Sequence, residues 1–199
     1  MLPEEPAILA VRHAVRAWTQ RRPGPVAVAL SGGADSLALT AAAVAEVPQV
    51  VALVVDHGLQ AGSADVAARA AQQATTLGCI DAIVQTVTVG TAGGMEAAAR
   101  RARYAALEQA RGDLPVLIAH TLDDQAETVL LGLSRGSGPR SIAGMSPWDE
   151  PWGRPLLDVR RSVARQACVE LGVIPFEDPH NSDAAFSRVR LRHEVLPLL

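Results

Sequence analysis

The stretch Val26-Ala27-Val28-Ala29-Leu30-Ser31-Gly32-Gly33-Ala34-Asp35-Ser36 decides the fold. Its first five residues form an unbroken apolar run. A strand with one wet face would alternate, so a continuous run predicts a strand buried on both faces of a parallel sheet. The remaining six residues bring two glycines, two serines and an aspartate, and helical spacing resumes over 36–46. In such sheets ligands sit beyond the carboxyl ends of the strands, and Ser31 to Ser36 lies at one of those ends. Gly32 and Gly33 let the backbone turn tightly and approach an anion. Free N–H groups and the helix dipole favour phosphate there, and Ser31 and Ser36 add hydroxyl donors. Ser31, Gly32, Gly33, Ala34, Asp35 and Ser36 are therefore the candidate nucleotide-phosphate residues.

Outward from this loop the pattern repeats. A helix over 6–20 precedes it, stopped by Arg21-Arg22-Pro23-Gly24-Pro25. Behind it come a buried strand at 50–55, a helix at 62–77, a strand at 82–89 and a turn with Gly90, Gly93 and Gly94. A helix over 95–111, a strand at 114–119 and a helix over 122–134 follow. Strands alternating with helices predict an α/β domain, a parallel sheet of about five strands with helices on both faces. Residues 136–155 are rich in Gly, Pro and Ser and read as a long loop able to cover a site. A helix over 159–171, a polar segment from Glu177 to Asp183 and a last helical stretch to Leu199 close the chain, read as one domain over 1–199.

The loop is not GxxxxGK[ST], because the chain has no lysine: all 18 basic residues are arginine. Nor is it GxGxxG. Another group must neutralise bound phosphates, and Asp35 points to Mg²⁺. The net charge of −3 argues against a general nucleic-acid coat protein but leaves room for a local arginine patch. Cys79 and Cys168 are far apart and have neither metal-site nor disulfide-framework spacing. No apolar run reaches the ~20 residues that span a bilayer. The start MLPEEPAIL lacks a basic signal region. A cytoplasmic location with no membrane partner is expected.

Residues 119–138 read AHTLDDQAETVLLGLSRGSG. His120 and Asp123 to Glu127 fall where the fourth strand meets its helix. Asp124 and Glu127 share a helix face. Asp123 has the place of a plain helix cap. Carboxylates beside a phosphate loop can hold a metal or receive a cationic substrate.

The loop resembles the SGGxDS pyrophosphate loop of the N-type ATP pyrophosphatases, which have the adenine nucleotide alpha hydrolase-like fold. The segment at 119–138 resembles the AHxxDDQAET…RGSG motif of the tRNA(Ile)-lysidine synthase family. Other stretches are similar in order: Val54 to Leu59 with Asp56 and His57, the helix Glu96 to Leu107 with Arg100, Arg103 and Tyr104, Arg154-Pro155-Leu156-Leu157, Glu177-Asp178-Pro179 through Asn181-Ser182, and Arg188 to Arg192. The chain departs from the pattern at Gln60, usually basic, and at Val189, usually asparagine. Family members also carry a C-terminal tRNA-binding region, which is expected to lie outside these 199 residues.

The resemblance implies a two-step ligase. The wobble cytidine of an isoleucine tRNA with a CAU anticodon is adenylated by ATP, and free L-lysine then replaces AMP. Ser31 to Ser36 and His57 would bind ATP, with Asp35 on Mg²⁺. Asp124 and Glu127 would hold the lysine ammonium or the metal. Arg100 would face phosphate, Arg188 the tRNA, and His120 or a carboxylate would take the amine proton. The oligomeric state stays open, a homodimer included. Two rivals remain at this point: a tRNA thiolase with the same loop, which would need active cysteines, and a nucleotide-binding module without chemistry.

Overall fold

The computed structural model describes residues 4–58, 62–90, 94–134, 136, 142–178 and 187–198. Gln60, Gly93, the side chain of Glu96, Arg135, Ser137, Gly138 and the segment from Pro179 through Asp183 lie outside the described residues.

Helix α1 (Pro6–Thr19) leads into β1 (Val26–Ala29), α2 (Ala34–Glu46), β2 (Val50–Asp56), α3 (Ser63–Leu77) and β3 (Asp81–Thr86). Then come α4 (Met95–Ala110), β4 (Val116–Leu117) and α5 (Leu122–Ser134). Two short strands, β5 (Trp148–Asp149) and β6 (Trp152–Gly153), precede α6 (Arg161–Glu170). Helix α7 (Ser187–Arg190) runs on into a π-helical turn at Leu191–Val195 and a 3₁₀ turn at Leu196–Leu198. The sheet order is β3-β2-β1-β4-β6-β5, parallel throughout except for the antiparallel pair β5 and β6. The predicted α/β architecture with a mostly parallel sheet is the one observed.

The apolar run of β1 is buried on both sides, as its composition requires. Val26, Val28 and Leu30 pack with α1, α2 and α6 through Ile8, Val11, Leu37 and Cys168. Ala27 and Ala29 face the other way, toward Leu107 of α4 and Leu53 of β2. Strand β3 is the edge, and its residues alternate between half-buried and exposed over much of its length.

Two differences from the sequence reading matter for the site. First, α2 begins at Ala34 rather than Ser36, so half of the glycine loop is already the first helical turn. Second, part of the stretch read as a long loop forms β5 and β6, which extend the sheet beyond β4. Gly153 makes that pairing feasible: a Cβ there would lie 2.6 Å from a Trp18 ring carbon and 2.8 Å from Leu117. Among the described residues, no helix is long and apolar enough to cross a membrane.

Candidate functional site

The glycine loop crosses from the end of β1 to the start of α2 as one hydrogen-bonded knot. The Ser36 hydroxyl donates to the Gly33 carbonyl at 2.9 Å and accepts the Ser31 N–H at 3.2 Å. The Ser31 and Ser36 hydroxyls lie 3.1 Å apart. Gly32 takes φ +82°, and a Cβ there would sit 3.4 Å from Ala70. Its carbonyl accepts the Phe176 N–H at 2.8 Å, tying the loop to the segment after α6. The N-cap of α2 is Gly33, which has no side chain to cap the helix. The first N–H groups of a helix have no partner within it, so this end offers bare donors and a positive dipole end to an anion.

Behind the loop opens a cleft of about 790 Å³ at the carboxyl ends of β1 and β2. Ser31, Gly33, Asp56, His57, Arg103 and Phe176 are among its lining residues. Burial lowers the His57 pKa, Arg103 lowers it further, and Asp56 opposes both. The cleft is larger than phosphates alone need, and His57 and the loop line it together. Arg103 of α4 also lines this cleft.

The second part of the site is built by α5 and the start of α6. Thr121 precedes α5, and its N–H and hydroxyl both donate to Asp124 Oδ2 at 2.8 Å. This is the reciprocal half of a capping box with aspartate at its far end. Asp123, read as a cap from sequence, caps another helix: its Oδ2 accepts the Arg161 N–H at 2.8 Å, at the start of α6. Its neighbours then meet the Arg161 guanidinium. Nη2 reaches Asp124 Oδ1 at 2.6 Å, Nη1 reaches Glu127 Oε1 at 3.2 Å, and Nε reaches Asp35 Oδ2 at 3.5 Å. So Asp35, far from Asp124 and Glu127 in sequence, converges with them on one cation.

Glu127 is fully buried. Besides Arg161 it takes Arg192 Nε at 2.8 Å and Arg188 Nη1 at 3.6 Å. Arg188 and Arg192 are four apart on one turn of the last helical stretch and turn inward to this carboxylate. Among the described residues, the buried carboxylate oxygens Asp35 Oδ1 and Glu127 Oε2 find no hydrogen-bond partner. Burial pushes the Asp35 carboxyl up to about 6; Arg161 pulls against it and the Asp124 charge adds to it. Burial also pushes Asp124 up, but Arg161 and the Thr121 hydrogen bonds outweigh it and hold the carboxyl below its ordinary range.

His120 sits at the end of β4. Burial pushes its pKa down to about 4, opposed by Asp124 and reinforced by Arg154, Arg100 and Arg103. It is therefore neutral at physiological pH, and its buried Nδ1 has no hydrogen-bond partner among the described residues. Arg100 lies outside the carboxylate cluster: its guanidinium stacks over the Tyr104 ring at 4.9 Å and reaches the Tyr104 hydroxyl at 3.3 Å. Among the described residues no group of three or more His, Cys, Asp and Glu has the arrangement of a metal site. Cys79 and Cys168 are buried, and burial pushes both thiols up to about 11.

Arg161 is the residue that sequence reading missed. It stands inside a stretch legible only as a helix, flanked by Arg160 and Arg165. No spacing rule separates it from its neighbours. Its one local sign is its place as the first residue of α6, where a basic side chain opposes the helix dipole and needs a reason.

The PP-loop domain family model matches residues 8–199. The tRNA(Ile)-lysidine synthase of Rhodococcus opacus is 71% identical over 201 aligned residues, which cover all of this chain and 62% of that protein. The protein of the same name from Mycobacterium tuberculosis is 68% identical over 172 residues, covering 86% of this chain and 53% of its own length. The chain thus spans about three fifths of the length of the curated relatives it matches. Among solved structures, the U34-tRNA thiolase NcsA from Methanococcus maripaludis superposes with a TM-score of 0.73 at 18% identity, over 94% of this chain and 71% of that one. The NMN synthetase of Francisella tularensis superposes with a TM-score of 0.55 at 15% identity, over 84% of this chain and 70% of that one. These two likenesses bear on the fold alone. With the glycine loop at the end of β1 and the family model matched from Ile8 to Leu199, the chain belongs to the PP-loop domain family.

Proposed function

We propose that this chain is the catalytic domain of an ATP-dependent ligase. It joins free L-lysine to C2 of the wobble cytidine in the isoleucine tRNA with a CAU anticodon, releasing pyrophosphate and AMP. The observation that carries the reading is the high identity, along the whole chain, to relatives named tRNA(Ile)-lysidine synthase. The geometry supports it, because the phosphate loop and the α5 carboxylates meet at one point.

In this reading Gly32 to Ser36 grip the phosphates through the backbone N–H groups at the start of α2, and His57 lines the nucleotide cleft. Asp35 Oδ1, buried and unpartnered, fits a Mg²⁺ ion, which takes one or two carboxylates and completes its shell with phosphate and water. When bound, that ion would neutralise charge on the phosphates. Glu127 Oε2, which meets Arg188 only at 3.6 Å and accepts no hydrogen bond from the described residues, and Asp124 Oδ1 have lone pairs left for the lysine ammonium, since each carboxylate oxygen accepts more than one hydrogen bond. These donors and acceptors are fixed before substrate arrives, which is how charge developing in a transition state is stabilised. Arg100, exposed on α4, and Arg188 serve phosphate and tRNA contacts. In the same reading residues 136–199 belong to the same catalytic domain as the residues before them.

The thiolase alternative loses its support at the cysteines. Both thiols are buried and held protonated, the opposite of a nucleophilic thiolate. The test of the proposal is pyrophosphate release with ATP and Mg²⁺, tRNA and lysine being omitted in turn. Release should require the tRNA. Release indifferent to both tRNA and lysine would sink the ligase reading.

A further inference from the structure

We infer that Arg161 is a positioning residue that locks the phosphate loop to the carboxylate helix, holding the two halves of the site in one register. The inference rests on the reading of those halves given above, but its geometry stands on its own. Each nitrogen of the guanidinium addresses a different carboxylate: Nε faces Asp35 of α2, while Nη2 and Nη1 face Asp124 and Glu127 of α5. The base of the side chain is fixed as well, because the Arg161 N–H donates to Asp123. The side chain is only 14% exposed, so water does little to screen these pairs.

Without this cation the carboxylates repel each other, as the effect of Asp124 on Asp35 records. A planar fork can serve three acceptors at once, whereas a lysine ammonium is a point charge on a flexible stem. Arg161→Lys therefore keeps the charge but cannot keep the bridge. Arg161 needs no contact with substrate to matter. A shift of about an ångström between the phosphate loop and α5 would separate the reacting groups, and misplacements of that size cost rate steeply.

Hydrogen exchange and kinetics of Arg161→Lys test this together. In the unliganded variant, amides of residues 31–40 and 122–130 should exchange roughly tenfold faster, with β2 and β3 amides unchanged. In the reaction, kcat for lysine incorporation should fall about tenfold or more, while the KM for ATP stays within about threefold. Native protection in both segments, or a native kcat, would overturn the inference. If the lysine variant does not fold, Asp123→Ala keeps the guanidinium but unties its base. It should give the same pattern at roughly threefold amplitude, and unchanged exchange in both segments would equally overturn the inference. A native protein that never modifies tRNA would contradict the ligase reading while leaving the exchange result intact, so the two failures are distinguishable.

Discussion

Asp124 carries two duties on two oxygens: Oδ2 fastens Thr121 at the start of α5, and Oδ1 meets Arg161. Asparagine can still accept from Thr121, so Asp124→Asn should fold and bind ATP within about threefold of the native affinity, while losing lysine incorporation. Equilibrium ATP binding alongside a labelled-lysine assay checks this, and near-normal incorporation would remove Asp124 from the site. His120 makes a prediction of a different kind. Its folded pKa of about 4 lies below the ordinary 6.5. Between those values the unfolded chain binds a proton that the folded chain does not. Its contribution is therefore intact above about pH 6.5 and is lost as pH falls toward 4, by on the order of 3 kcal/mol. Denaturant unfolding of His120→Gln should show a shallower loss of stability between about pH 7 and pH 4.5 than the native protein. An equal slope would mean that His120 is solvated in the folded state.

Glu127 of α5 joins three elements, since its partners come from α6 and from the last helical stretch. Removing a fully buried carboxylate leaves arginines without their counter-charge, which costs about 3–5 kcal/mol when one partner of a buried pair is lost. Glu127→Ala should therefore lower the denaturant midpoint sharply, and a cost under about 1 kcal/mol would show that these arginines find water instead. At this scale the elements were largely legible. The unbroken apolar run of β1, the helical spacing of α1 to α5 and the glycine loop each follow from local chemistry. What sequence could not give was the hairpin at Trp148 to Gly153, because two-residue strands carry no period. It also could not give the direction of Asp123, whose partner is 38 residues away. The same holds for Arg188 and Arg192, whose alternation with apolar residues fits solvent as well as it fits Glu127. Arg161 was hidden for the same reason: its meaning lies in three carboxylates gathered from two other elements.

The whole molecule places the phosphate loop, the cleft and the carboxylate cluster at the carboxyl end of one parallel sheet, the position such sheets reserve for ligands. Both cysteines belong to the core that backs this arrangement. Cys168 packs under α2, its thiol donating to the Ala34 carbonyl at 3.3 Å, and Cys79 is buried elsewhere in the core. Replacing both with serine should leave the rate within about threefold, measured by lysine incorporation; complete loss with the fold intact would reinstate sulfur chemistry. The central claim is that the nucleotide half of the site serves attachment of lysine to a tRNA base. The measurement that tests it most directly is the mass of the wobble nucleoside after the protein has acted on the CAU-anticodon isoleucine tRNA with ATP, Mg²⁺ and isotopically labelled lysine. The expected product is a cytidine heavier by one labelled lysine joined with loss of water, absent when either ATP or lysine is withheld. A wobble nucleoside that stays unmodified while ATP is consumed, or one that gains sulfur, would contradict it.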